Sequence, residues 1–91
     1  MTLSETAWRH IRERHPEVSR YEELVKGVVA RPEMIFHGRQ RERRAIRRVK
    51  THLGPKLLFV VYREETSRKA IITAYFTSDL KRIKGELVWK A

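Results

Sequence analysis

The apolar run Leu57-Leu-Phe-Val-Val-Tyr62 constrains the fold more than any other segment of this chain. Successive side chains of an extended strand point to opposite faces, so this run puts hydrocarbon on both sides of a sheet. Such a strand belongs inside a sheet, with a neighbour along each edge. One neighbour is Ala70–Phe76, which follows the polar connection Arg63–Lys69 and completes a hairpin. The other has to be Arg39–Lys50. Its Arg, Glu and Gln content suits a helix, yet Ala45, Arg47 and Val49 alternate, and the need for a partner makes it a strand. Leu53-Gly-Pro-Lys56 supplies the turn between them. Met34-Ile-Phe36 adds a short strand before Gly38, and Glu86-Leu-Val-Trp89 offers a short edge strand in the tail.

The first part of the chain has the helical period instead. Leu3, Ala7, His10, Ile11 and Arg14 follow one helical face, with Thr2 or Ser4 as cap and Glu5 near the positive end. Pro16 disfavours helical geometry at His15, so this helix is expected to stop there. A second helix carries Ser19-x-x-Glu22 as a capping box, an apolar stripe of Tyr21, Leu24, Val25, Val28 and Val29, and Pro32 as its stop. The expected architecture is α+β: two N-terminal helices packed on an antiparallel sheet of about four strands, one domain spanning residues 1–91. Helices on one face leave the other open to a ligand.

Composition narrows the chemistry. The chain has no Cys, which excludes disulfides, thiolate metal sites and a Cys nucleophile. Six apolar residues are far too few to span a bilayer, and the N-terminus lacks a signal peptide's apolar stretch, so a cytoplasmic protein without a membrane partner is expected. Lys and Arg number 21 against 11 acids, a formal charge of +10, and Arg outnumbers Lys by 14 to 7. Arg's planar donor fork matches phosphate, which points to RNA or another polyanion. An acidic antitoxin or inhibitor protein answers the same charge, and an ion-rich surface of the thermophile kind is the blander source of it. The oligomeric state stays open, since a short sheet's exposed edge permits dimers.

The groups able to do chemistry fall in three places. His10-Ile-Arg-Glu-Arg-His-Pro-Glu17 closes the first helix, where His10 and Arg14 interrupt a stripe expected to face the core. A core-facing Arg is costly unless an anion answers it, either a carboxylate from the sheet or a phosphate. His15 lies just past the helix end. On the Ala70–Phe76 strand, Thr73 and Tyr75 share a face with Ile71, while Ile72, Ala74 and Phe76 share the other. Thr73 and Tyr75 stand roughly 6–7 Å apart, a spacing that suits two groups on one phosphodiester; both are also ordinary strand formers. Seven cations in twelve residues mark Arg39–Lys50, answered only by Glu42. As a strand it sets Arg43 and Arg47 on one face and Arg44 and Arg48 on the other; Arg47, two places from Val49, is the expected phosphate contact, with Arg43 and Arg44 in support. His37 and His52 sit by turns and read as surface histidines. No His-Glu-x-x-His pattern or glycine-rich phosphate loop is present, so neither a metal site nor a cofactor is expected.

Taken together, "HIRERHPE", "VVARPEMIF", "KLLFVVYR", "AIITAYFT" and the closing "ELVWK" resemble the small phage- and mobile-element-associated members of the barnase–EndoU–colicin–RelE nuclease superfamily. The likeness runs over about residues 5 to 89. It implies a RelE/barnase-like packing of N-terminal helices on an antiparallel sheet, and RNA cleavage without a metal. It sets His10, Arg14 and His15 in the superfamily's polar helix motif, and Thr73 and Tyr75 in the strand motif near the site. The resulting expectation is a metal-independent endoribonuclease or RNase-like toxin. In it His10 serves general acid–base catalysis, with His15 or Tyr75 as counterpart, Thr73 positions the phosphate, and Arg14 and Arg47 stabilise charge. The alternative is a basic nucleic-acid-binding or protein-interaction module on the same scaffold, with no catalysis.

Overall fold

A computed structural model describes residues 3–65, 68–78 and 85–91. Helix α1 (Glu5–Arg14) begins at Ser4, whose hydroxyl accepts a hydrogen bond from the Ala7 N–H at 3.1 Å, and ends where Pro16 forbids another turn. A single 3-10 turn (Pro16–Val18) carries the chain into α2 (Glu22–Ala30). The capping box expected at Ser19 does not form. Ser19 belongs to the end of the 3-10 turn, where its hydroxyl donates to the Pro16 carbonyl at 2.7 Å, and Tyr21 precedes α2 without a side-chain cap. Among the described residues, no helix is long and apolar enough to cross a membrane.

Five strands follow: β1 (Met34–His37), β2 (Glu42–Thr51), β3 (Gly54–Glu65), β4 (Arg68–Thr77) and β5 (Leu87–Lys90). They form one sheet in the order β4-β3-β2-β1-β5, with every neighbouring pair antiparallel. Among the described residues the sheet therefore has five strands rather than about four, because the tail strand β5 adds to the edge of β1. The arginine-rich segment is a strand, as the demand of Leu57–Tyr62 for two neighbours requires; β3 lies between β2 and β4.

Both helices pack on one face, α1 against β4 and α2 over β3 and β2. There Trp8, Ile11, Val18, Val25 and Val28 meet Ala45, Val49, Leu58, Val60, Tyr62, Ile71 and Ala74. Each fully buried aliphatic side chain in this layer contributes about 1.5–3 kcal/mol. The opposite face holds a second, smaller cluster, Ile46, Leu57 and Phe59, flanked by Met34, Phe36 and Tyr75. One irregularity alters the expected alternation. The β3–β4 register shifts between Val61 and Tyr62, so Val61 pairs with Thr73 but Tyr62 with Ile71. The extra residue, Ile72, is a bulge, and it turns Ile71 into the helix-side core at 4% exposure, away from Thr73 and Tyr75.

Candidate functional site at the edge of the sheet

The phase of α1 decides which of its polar groups reach the sheet. Its buried residues are Trp8 and Ile11, while His10 and Arg14 are both exposed. The expected core-facing pair is thus on the outside of the helix. The physical reason is that Leu3 lies before the helix and does not set its phase, whereas Trp8 does. At 3.6 residues per turn, Trp8, Ile11 and position 15 fall within an arc of about 60°, and His10 and Arg14 lie about 130° and 90° from its middle. His15 therefore inherits the inward direction. It leaves the helix with φ −133° and ψ 70°, outside the helical geometry that a following Pro disfavours, and remains half-buried.

What His15 meets is the open-face side of β4. Its ring lies 5.6 Å from that of Tyr75, centroid to centroid, at an interplanar angle of 35°. Tyr75 in turn stacks on Phe59 of β3 at 5.3 Å and 21°. Because β4 is an edge strand among the described residues, the end of α1 is able to reach round it. The 3-10 turn then brings Glu17 back beside the imidazole, with Oε1 3.5 Å from Nδ1. An imidazole, a phenol and a carboxylate thus gather at one edge. A carboxylate beside Nδ1 favours the proton on that nitrogen and leaves Nε2 as the one able to accept.

The register extends this site across the open face. Thr73 stands beside Val61, which faces Arg44; Tyr75 stands beside Phe59, which faces Ile46. Two strand spacings, roughly 9–10 Å, separate the backbones of Thr73 and Arg44. Arg44 donates from Nη2 to the His37 carbonyl at 2.8 Å, and its Nε is buried with no hydrogen-bond partner among the described residues. Gly85 closes over this guanidinium at φ +122°; a Cβ there would lie 2.5 Å from Nη2 and 2.6 Å from the His37 oxygen. Arg48 shares the open face and is exposed, its backbone N–H donating to the Glu33 carboxylate at 3.0 Å.

Arg43 and Arg47 lie elsewhere. They pair with Tyr62 and Leu58, on the face that Ala45 and Val49 bury against the helices. Arg43 is held by Glu64, Nε to Oε2 3.1 Å. The expectation for Arg47 chose the wrong parity of β2: nearness to Val49 places a side chain on the covered face. Tyr62 is likewise on the covered side, where burial first, and Glu64 second, push its phenol above the usual range against the opposing pull of Arg43.

The structure therefore brings His15, Tyr75 and Thr73 to one edge, keeps Arg44 on the same face, and separates His10, Arg14, Arg43 and Arg47 from it. Two members of the site were not singled out by sequence reasoning. Glu17 was legible in principle, because a Pro that halts a helix and starts a 3-10 turn folds the next residues back on the cap. Phe59 was hidden inside a run read only as core. Compared with protein-family models, curated proteins and solved structures, the chain matches none.

Proposed function

We propose that this protein is a metal-independent endoribonuclease in which His15 and Tyr75 form the proton-transfer pair. The observation that carries the reading is the contact of their rings, 5.6 Å between centroids, with Glu17 3.5 Å from the imidazole, on a chain of charge +10. In this mechanism His15 Nε2 takes the proton of a ribose 2′-OH. The freed oxygen attacks its own phosphorus and the bond to the 5′-oxygen breaks, leaving a 2′,3′-cyclic phosphate. Tyr75 gives its proton to the departing oxygen; the pair is reset when His15 releases to solvent the proton it took and Tyr75 regains one from it. The Thr73 hydroxyl donates to a non-bridging oxygen, and Arg44 and Arg48 hold the neighbouring phosphates. The base role passes from His10 to His15 because His10 faces away from the sheet.

The test is incubation of labelled RNA with pure protein in EDTA. Losing a positioned acid or base removes about 10²–10⁴-fold in rate, roughly 3–5 kcal/mol of barrier. His15→Ala and Tyr75→Phe are each expected to show that loss with unchanged circular dichroism, and His10→Ala to stay within a few-fold of the parent. Full activity in His15→Ala removes the mechanism. Intact RNA with the parent protein, together with a salt-sensitive gel shift, supports the basic binding module instead.

A further inference from the structure

We infer that the groove lined by Glu17 on the helix side, one side chain away from His15, is a subsite for one unpaired nucleotide next to the scissile phosphate. The inference rests on the ribonuclease reading and locates where that site holds a base. The groove has a volume of about 410 Å³, inside the range of pockets that hold small organic ligands, roughly 300–1,000 Å³. Tyr21 and Phe76 stand in its wall, edge to face with centroids 5.1 Å apart. His52 and Lys56 line it from the β2–β3 hairpin, and Glu17 lines it beside the 3-10 turn.

Three features argue for a nucleotide there. Glu17 is common to both places: it lines the groove and lies 3.5 Å from His15 Nδ1, so an occupant is within one side chain of the proposed chemistry. Aromatic walls beside cations are the pattern by which proteins hold unstacked bases and their phosphates. The third feature is topological. Tyr75 and Phe76 are consecutive on β4 and point to opposite faces, Tyr75 to the open side and Phe76 to the helix side. A strand of RNA with its phosphate at Tyr75 and its next base beside Phe76 has to turn round the sheet edge within one nucleotide. A single strand makes that turn readily. An A-form duplex keeps its bases paired and stacked and presents only backbone and a shallow groove.

The test compares a single-stranded RNA with the same strand annealed to its complement, using the parent protein and the double variant His52→Gln, Lys56→Gln. His52 is exposed and Lys56 half-buried on one hairpin, so folding is checked by thermal melting. The single strand is expected to be cleaved at least about tenfold faster than the duplex, the equivalent of one lost base-stacking contact. The double variant is expected to raise KM about tenfold while changing kcat far less, the mark of lost ground-state binding. A photoreactive thiouridine in a 2′-O-methyl strand, which resists cleavage, is expected to crosslink at Tyr21, His52 or Phe76. Equal cleavage of both RNAs with KM unaltered overturns the subsite and leaves the ribonuclease reading in place. Crosslinks confined to Met34 and Phe36 on the open face overturn it too. No cleavage of either RNA by the parent protein defeats the reading beneath it.

Discussion

The phenol of Tyr62 is set apart from a solvent-exposed one by what surrounds its hydroxyl, and the difference is testable. Tyr62 is 2% exposed on the helix side, where burial and then the Glu64 charge favour the neutral phenol, Arg43 opposing them in part. Its folded pKa lies above the ordinary 10.0, so the folded protein keeps a proton that the unfolded chain gives up. The stability this supplies is fully present below pH 10 and is lost as pH rises through the raised value. Urea midpoints measured upward from pH 9 should fall more steeply in the parent than in Tyr62→Phe; equal slopes show the phenol to be unshifted. The same residue scale explains what the sequence hid. Leu3 in phase with Ala7 and Ile11 points His10 and Arg14 inward, but Leu3 precedes the helix and one large buried residue, Trp8, sets a different phase. Arg47 and Arg44 differ only by parity, and both faces of β2 carry apolar residues, Ala45 and Ile46, each fully buried. Alternation alone therefore cannot say which face the helices cover.

At the level of elements, the apolar patterns were legible and the local devices less so. A strand apolar on both faces forced the order of β2, β3 and β4, and Pro16 ended α1 at the right place. The bulge at Ile72 was not legible, because an inserted residue among Ala70-Ile-Ile-Thr73 leaves the composition of a good strand unchanged. The same holds for the 3-10 turn that displaced the Ser19 cap. The glycines make a contrast between two elements. Gly85 leads into β5 with φ +122° and its Cβ direction filled by the His37 carbonyl, while Gly27 in α2 has open space there. Gly85→Ala should cost about 1–3 kcal/mol in backbone strain, and Gly27→Ala should gain about 0.4–1 kcal/mol. In a domain of this size each kcal/mol moves Tm by about 4–8 °C. Calorimetry should thus separate the two variants in opposite directions; a Gly85→Ala protein melting with the parent would mean that the closure over Arg44 yields.

For the molecule as a whole, the question is whether its charge acts as a diffuse field or through one face. An excess of 21 cations over 11 acids attracts any polyanion from every side. The fold, however, distributes the arginines of β2 unequally. Arg43 is spent on Glu64 and Arg47 stands on the helix-covered face, whereas Arg44 and Arg48 stand on the open face that carries Thr73 and Tyr75. Counterion release turns this into a number. For a single strand, log affinity falls with log salt by about 0.7 for each phosphate neutralised. Binding of an uncleavable 2′-O-methyl RNA, titrated across salt concentrations, should therefore lose about 1.4 from that slope in the double variant Arg44→Gln, Arg48→Gln. The double variant Arg43→Gln, Arg47→Gln removes the same formal charge from the covered face. It should weaken binding only through the long-range field, which salt screens within about 10 Å at 0.1 M, and leave the slope nearly unchanged. Equal losses from both variants would mean that RNA meets a cloud of charge rather than the open face, and the phosphate roles of Arg44 and Arg48 would go with it.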